Sequence, residues 1–290
     1  MRSRWRLYWL CFLVSGTALG QSVQGRVVND ITYAPVAYAL VTNSTATTGV
    51  YTDTSGLFRW PGAREALVIA APGYETKQVQ TYSPGTLLVV SLVEKPLVLK
   101  EIPVPTNRSP AVVQKGAWRK RPRGYVSSCE AHQPREVALF IPNEKQETGI
   151  LRKVSFYVSS QGKQGAPVRV RVYKNNNGEP GEDLLDENVV TTPRRRWYRW
   201  KEVPVGRYNL PVPQEGFFVA LEWLHTADSN YENPAGVKCF GQVLGTTDEF
   251  TSCRGWYRTN GGSWNQAGCQ TGGAGQTTSP MIRVEWLRYR

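Results

Sequence analysis

Strict alternation of apolar and polar residues in the second half of the chain is the feature that most constrains its fold. Valines occupy every second position from Val168 to Val172, with Arg169 and Arg171 between them. The same spacing recurs in three further runs, at residues 154–158, 217–223 and 282–286. Because successive side chains of a strand point to opposite faces, this spacing predicts strands with one buried and one polar face. It favours an antiparallel β-sandwich or jelly roll.

The first half of the chain is also rich in short β-type runs. Five of them lie between residues 23 and 94, separated by turn signals, which predicts a small sandwich. With 27 Gly, 19 Pro and 2 Met, the composition disfavours a helical bundle. We therefore expect an all-β chain with a first sandwich at residues 21–97 and a larger one at 125–290. Residues 98–124, rich in proline and then in basic residues, are predicted to be a linker.

Ordered motifs in the first sandwich resemble a known family. The motifs are Gly25–Asn29, Ala34–Val36, Tyr51–Asp53, Gly56–Phe58 and Ala71–Tyr74. In this order they are similar to the carboxypeptidase-regulatory-like, or transthyretin-like, domain. The resemblance implies a non-catalytic seven-stranded sandwich with Phe58 and Tyr74 in its core. Asp53 and Gly56 would form a tight turn between strands.

Two weaker resemblances point to a bacterial envelope. Leu99–Ile102 is similar to the segment that follows this domain in outer-membrane transporters, which implies outer-membrane proteins as partners. The remaining chain is too short for a transporter barrel. Residues 125–290 resemble an uncharacterised β-sandwich of envelope proteins and, more loosely, the jelly rolls of carbohydrate-binding modules.

The first twenty residues have the pattern of an export signal. Arg2, Arg4 and Arg6 precede a short apolar run at residues 7–14, and small residues lead to a cleavage site after Gly20. The apolar run is too short to span a bilayer, and no later run is long enough. We expect a mature chain without a transmembrane segment, in the periplasm, on the surface or in the medium of a Gram-negative bacterium.

Four cysteines would remain after cleavage: Cys129, Cys239, Cys253 and Cys269. An even number in an oxidising compartment predicts two disulfides, with three connectivities open. Cys253 and Cys269 flank a TNGG turn signal, so their pairing would staple a hairpin. Cys129 and Cys239 would then tie the start of the second sandwich to its later half.

Catalytic and metal-binding patterns are weak. The chain has two histidines, His132 and His225, and lacks the HxxE spacing of a zinc carboxypeptidase. The polar stretch at residues 175–183 lacks the first Asp and last Glu of an EF-hand, so a β-turn is the simpler interpretation. We predict no metal, no cofactor and no catalytic residue. A glycosidase would need two converging carboxylates, which a sequence cannot locate.

A run of interleaved basic and aromatic residues is the most unusual feature. Its candidate binding residues are Arg194, Arg195, Arg196, Trp197, Arg199, Trp200 and Lys201. Cations could bind an anionic polysaccharide while rings stack on sugars. The simpler alternative is a strand with one set of rings in the core, next to a solvated loop. A second cluster, Lys115, Arg119, Lys120, Arg121 and Arg123, adds to a net charge of +12 and would be easier to explain with an anionic partner.

The sequence therefore predicts a non-catalytic exported binding or scaffold protein of the cell envelope that recognises glycans or polyanions. Nucleic acid is not an expected partner of an exported protein. Two alternatives from other classes stay open, a carbohydrate-active hydrolase and a purely structural adhesion or assembly component.

Export predicts a defined mature N-terminus. Mass spectrometry of the exported protein should show a chain that begins at Gln21, because the small residues at positions 18 and 20 suit signal peptidase. An intact Met1 recovered in the membrane fraction would contradict the cleavage.

Overall fold

A computed structural model describes residues 22–61, 65–80, 86–96, 111–129, 135–193, 200–267 and 278–289. These residues form β-strands and two short 3-10 helices and contain no α-helix, which confirms the all-β prediction. Among them no helix is long and apolar enough to cross a membrane.

The first module, residues 22–96, packs two small sheets around one core. Its strands are β1 (Val23–Asn29), β2 (Leu40–Asn43), β3 (Gly49–Tyr51), β4 (Leu57–Trp60), β5 (Leu67–Ala70), β6 (Lys77–Val79) and β7 (Leu88–Leu92). One sheet has the order β4-β1-β7 and the other β3-β2-β5-β6. The core between them contains Val27, Phe58, Trp60 and Ile69. Tyr74 is half-buried and packs against this core.

The predicted turn between β3 and β4 is present. The Asp53 carboxylate accepts hydrogen bonds from the backbone amides of Ser55 (2.8 Å) and Leu57 (2.9 Å). Gly56 has a φ of +74°, and a Cβ there would lie 2.4 Å from the carbonyl oxygen of Val27. Only glycine suits this position.

The second module, residues 111–289, is a larger sandwich. Its strands are β8 (Ala111–Gly116), β9 (Gly124–Cys129), β10 (Glu136–Ile141), β11 (Gly149–Gly162), β12 (Val168–Asn176), β13 (Glu179–Asp183), β14 (Val190–Thr191), β15 (Trp200–Pro204), β16 (Phe217–Trp223), β17 (Asn230–Glu232), β18 (Lys238–Thr247), β19 (Gly255–Arg258), β20 (Asn265–Ala267), β21 (Ser279–Pro280) and β22 (Ile282–Arg288). The two 3-10 helices span Gly206–Tyr208 and Ala227–Ser229.

Two sheets form this sandwich. We call the sheet ordered β13-β12-β16-β10-β19-β20 the junction sheet, and β14 pairs with its β12. We call the sheet ordered β17-β18-β11-β22-β8 the outer sheet, to which β9, β15 and β21 are added. The apolar positions of the four alternating runs all lie in the core between the sheets, as predicted.

One edge of the outer sheet comes from the predicted linker. Ala111–Gly116 forms β8, which pairs antiparallel with β22 from Arg283↔Gly116 to Arg288↔Ala111. The assignment of these residues to a linker is therefore wrong, because their backbone groups complete the ladder of β22. Residues 98–110 of that segment lie outside the described residues.

The predicted polar face of the junction sheet is buried. The first module covers it, so that Arg169 is 1% and Glu222 4% exposed. The Tyr51 hydroxyl donates to Glu222 Oε1 (2.7 Å), and Arg169 Nη1 donates to Glu222 Oε2 (2.9 Å). Arg169 also donates to the backbone oxygen of Tyr38 and, at 2.8 Å, to the side chain of Asn188. The polar face that the spacing predicts is therefore not exposed to solvent here, since the first module supplies its hydrogen-bond partners.

Close backbone approach marks a second point of contact between the modules. Gly73 has a φ of +79°, and a Cβ there would lie 2.4 Å from the carbonyl oxygen of Asp186. A larger residue at position 73 would push the modules apart.

The disulfide Cys129–Cys239 is formed and joins β9 to β18. Cys253 is also disulfide-bonded, while Cys269 lies outside the described residues, so its predicted pairing stays a prediction. The turn signal behind Cys253 does form a hairpin, because β19 pairs antiparallel with β20.

Replacing both Cys129 and Cys239 by Ser should strongly destabilise the protein. The bond closes a loop with a sequence separation of 110 residues, and the chain-entropy model assigns such a loop about 4–5 kcal/mol. Urea unfolding without reductant measures the difference. A loss below about 1 kcal/mol would show that the bond does not constrain the unfolded chain.

Candidate functional site

The basic-aromatic run predicted to bind ligands is only partly described. Residues 194–199, which include Arg194, Arg195, Arg196, Trp197 and Arg199, lie outside the described residues. Trp200 and Lys201 begin β15. Lys201 pairs with the core residue Phe156 and Trp200 with Tyr157, so the two side chains lie on opposite faces. The structure therefore does not bring Trp200 and Lys201 together.

Trp200 is part of a stack on the solvent face of the outer sheet. The Arg283 guanidinium carbon lies 4.2 Å from the Trp200 ring centroid and 5.4 Å from that of Trp118. The Tyr157 ring meets Trp200 edge-on at 6.1 Å. We call Trp118, Tyr157, Trp200 and Arg283 the outer-face stack. Cation–π attraction holds the guanidinium close to both indoles.

Polar groups lie beside the outer-face stack. Lys153 Nζ bridges Glu202 (3.3 Å) and Glu285 (3.6 Å), and Gln114 donates to Glu285 at 2.9 Å. These residues line a shallow cavity of about 270 Å³ together with Trp118 and Arg283. Aromatic faces next to a few fixed polar groups are typical of sites for small ligands.

Trp118 and Arg283 were not among the predicted site residues. Arg283 alternates with the core residues Ile282 and Val284, so its position on the opposite face was predictable from the period of two. Trp118 lies in the segment assigned to the linker, and only the fold of β8 places it next to β22. It is 46% exposed, the most accessible ring of the stack.

Part of the second basic cluster is paired within the chain. Arg119 and Arg123 pair with Asp248 at 3.0 and 3.1 Å, and Lys115 pairs with Glu144 at 3.3 Å. Two carboxylates of the chain therefore compensate part of the charge of these three cations. Lys120 and Arg121 are exposed.

The other polar motifs have structural roles. Residues 175–183 form the predicted turn between β12 and β13, in which Asn175 Oδ1 accepts from the amide of Gly178 at 2.8 Å. His132 lies outside the described residues. Within the described ranges, no group of three or more His, Cys, Asp or Glu side chains could hold a metal ion.

Three carboxylates converge at the junction between the modules. Glu136, Asp183 and Glu222 line a cavity of about 200 Å³, which the exposed Asp186 also lines. Glu136 and Glu222 are cross-strand neighbours on β10 and β16. This is the feature that a glycosidase would require, so the state of each carboxylate decides whether it could act as an acid or a nucleophile.

Each of the three carboxylates is already engaged. Glu136 accepts from the Tyr173 hydroxyl (2.6 Å) and from Arg258 Nε (2.7 Å). Asp183 accepts from Arg171 Nε at 2.5 Å. Glu222 is held by Tyr51 and Arg169 as described above. Of these contacts, only that of Tyr51 with Glu222 crosses between the modules, and together they occupy Glu136, Asp183 and Glu222 with donors of the protein itself.

The ionisation of the junction follows from burial and neighbouring charges. Burial by itself raises the pKa of Glu222, but the guanidinium groups of Arg169 and Arg171 lower it to about 2. Burial raises the pKa of Tyr51 and Tyr173 well above the usual range, so both phenols stay protonated as donors. Burial also raises the pKa of Asp183, against the opposing effect of Arg171. The junction is a fixed array of charge pairs.

Comparisons with known proteins give only distant similarities. No family model matches the sequence, and no curated protein sequence matches it. The cysteine protease and lectin-like domains of Cwp84, a surface layer associated protein of Clostridium difficile, match with a TM-score of 0.36 and 14% identity. That match covers 52% of this chain and 31% of the other.

Two further solved structures are similar over more of the chain. A streptococcal ancillary pilin has a TM-score of 0.23 and 12% identity over 78% of this chain and 60% of the pilin. A putative carbohydrate binding protein from Bacteroides uniformis has a TM-score of 0.23 and 7% identity over 77% of this chain and 96% of that one. TM-scores below 0.5 do not establish a shared fold, so the site itself has to indicate the function.

Stability should fall with acidification through the titration of Glu222. Its pKa is lowered from 4.5 to about 2 in the folded protein, so its contribution is present above pH 4.5 and is lost as the pH falls towards 2. Urea unfolding across this range should show a shallower pH dependence for Glu222→Gln than for wild type. The raised pKa of Asp183 has the opposite effect, because its contribution to stability increases as the pH falls. This effect is present in both the wild type and Glu222→Gln. The exposed carboxylate variant Glu144→Gln should keep the wild-type slope, and an equal slope for Glu222→Gln would contradict the assignment.

Proposed function

We propose that this protein is a non-catalytic binding protein of the bacterial cell surface that recognises glycans with the outer-face stack. The observation that carries this proposal is the position of Arg283. Its guanidinium lies close to the rings of both Trp118 and Trp200, and it has no ion pair among the described residues.

The chemistry of the stack suits sugars. The C–H face of a pyranose is apolar and can pack on an exposed indole, while its hydroxyls need fixed donors and acceptors. Trp118 supplies the exposed ring, and the edges of the Arg283 guanidinium supply donors. Lys153, Glu202 and Gln114 lie in the same cavity. Anionic substituents of a polysaccharide would pair with Arg283.

In this proposal the protein is exported from the cytoplasm. A disulfide such as Cys129–Cys239 is typical of oxidising compartments, which supports secretion. The first module would act as a scaffold of the carboxypeptidase-regulatory-like kind, docked on the second module through Tyr51. Outer-membrane proteins are the expected partners in a Gram-negative envelope.

Truncating the exposed ring tests this proposal. Glycan-array screening with neutral and acidic bacterial oligosaccharides should identify ligands, and titration calorimetry with the best of them gives a Kd. Trp118→Ala should weaken that Kd by about tenfold, about 1.4 kcal/mol, because the sugar loses its stacking surface. The melting temperature should change little, since Trp118 is exposed. Binding of an acidic ligand should weaken between about 50 and about 200 mM salt.

The matched control is Tyr125→Ala, which removes another exposed ring, on β9. Equal losses for both variants would contradict a site at the stack. A panel without any bound oligosaccharide would favour a purely structural role. Release of reducing ends from a bound oligosaccharide would favour the hydrolase.

A further inference from the structure

The first module exposes more large apolar side chains than the larger second module. Ten such side chains are exposed among the described residues, and six of them belong to the first module. The six are Ile31 (81% exposed), Tyr33 (74%), Leu57 (43%), Leu87 (49%), Val89 (59%) and Val93 (47%). Single exposed apolar residues are normal, whereas a contiguous group of them marks a site of interaction. Their arrangement on the module therefore decides what they mean.

Four of these side chains share the solvent face of the sheet β4-β1-β7. The core positions of β7 are Val90 and Leu92, so the residues that alternate with them point to solvent. On β4, Leu57 alternates in the same way with the core residue Phe58. The exposed apolar side chains at these outward positions, on the two strands and at the ends of β7, are Leu57, Leu87, Val89 and Val93. We call these four residues the apolar face.

Two arginines lie among the residues of the apolar face. Arg26 on β1 pairs with Leu57 on one side and with Val89 on the other, so the three form one row across the sheet. Arg59 lies two residues beyond Leu57 on the same side of β4, and its Nε donates to Ser22 Oγ at 2.8 Å. Neither arginine has an ion pair among the described residues.

The charge of this side of the sheet is positive. The other positions on the same side of the three strands are Gln24, Val28 and Ser91, none of them acidic. Lys77 adds a cation at the edge, where its Nζ donates to the backbone oxygen of Ser91 at 2.8 Å. The exposed carboxylates of Asp30 and Glu94 lie beyond the ends of β1 and β7. The apolar face is therefore accompanied by cations and has no carboxylate within its strands.

An occupant of this face has to be apolar and anionic at once. A second copy of the chain would bring the same cations to the contact, so charge disfavours self-association. Protein partners are usually held by Trp, Tyr and Arg in well-packed pockets, and Leu and Val are under-represented among such residues. An anionic bilayer needs no matching pocket, because aliphatic side chains enter its interface while basic side chains are attracted to its headgroups.

We propose that the apolar face docks the protein on an anionic phospholipid bilayer. Leu57 and Val89 enter the boundary between headgroups and acyl chains. Arg26 and Arg59 pair with lipid phosphates, because the stem of an arginine can lie along apolar neighbours while its guanidinium reaches a polar group. This contact is independent of the proposed function, since the apolar face shares no residue with the outer-face stack. It leaves the outer-face stack free for a glycan.

Co-sedimentation of the exported protein with lipid vesicles tests the docking, once mass spectrometry has confirmed that the signal is removed. Vesicles of phosphatidylglycerol and phosphatidylcholine in equal amounts should bind the protein. Vesicles of phosphatidylcholine alone should bind it at least about tenfold more weakly, because they lack the negative surface charge. Binding to the mixed vesicles should weaken between about 50 and about 500 mM salt.

The apolar contribution is tested with threonine, which suits a strand but removes apolar surface. The double variant Leu57→Thr, Val89→Thr should bind the mixed vesicles about tenfold more weakly than the wild type. The matched control is Val112→Thr, Val237→Thr, which changes two exposed apolar side chains of the second module and should bind like the wild type. Equal binding by the two double variants would overturn the proposal.

The charge contribution is tested separately. The double variant Arg26→Gln, Arg59→Gln should lose most of its preference for phosphatidylglycerol, because each basic residue near an anionic surface adds to the attraction. An unchanged preference would contradict the pairing of these arginines with phosphates. Trp118→Ala should keep vesicle binding, which separates this contact from the outer-face stack.

Hydrogen exchange of the unmodified protein guards against variants that fail to fold. On the mixed vesicles, backbone amides at residues 57–59 and 87–93 should exchange more slowly, whereas those at 116–125, around Trp118, should not change. Protection confined to 116–125, or vesicle binding lost in Trp118→Ala, would overturn the proposal. Failure to bind the mixed vesicles would also overturn it and would favour an acidic protein as the occupant of the apolar face.

Discussion

The buried pair of Arg169 and Glu222 is the interaction on which the arrangement of the two modules depends. Both side chains are almost fully buried, and each also contacts the first module, through Tyr38 and Tyr51. Removing two charges from water is unfavourable unless the pair is fully hydrogen-bonded. The first module supplies the missing partners, so the second module can keep charged residues on strands that are otherwise apolar. Separating the modules would expose this charged face and leave Tyr51 without its acceptor.

The docking of the modules also creates a cavity of about 750 Å³ between them. Thr47 comes from the first module, and Arg135, His225 and Asn260 come from the second. The outer-face stack is exposed and lies on one sheet, where its indoles are pre-arranged by Arg283.

Much of the fold could be predicted from residue spacing, and the exceptions have physical causes. The β-type run at residues 23–29 coincides with the observed strand β1. The short strand β6 was missed because its residues show no apolar alternation, and β8 was assigned to a linker because its partner β22 lies far along the chain. On β16, Val219 and Leu221 face the core as their spacing predicts. Phe218 and Glu222, on the opposite face, are also buried, because other parts of the chain cover that face.

The sequence by itself determined most of the strands, the core-facing positions of the alternating runs, the Asp53 turn and the expectation of disulfides. These follow from local rules, since side-chain alternation and turn chemistry act over a few residues. Of the outer-face stack, only Trp200 was predicted as a site residue. Only the tertiary structure decided which polar residues are buried and which rings lie beside a guanidinium. Those outcomes depend on contacts between residues far apart in the chain, such as Tyr51 with Glu222. Period-two spacing predicts which face of a strand a residue lies on. It does not predict what packs against that face.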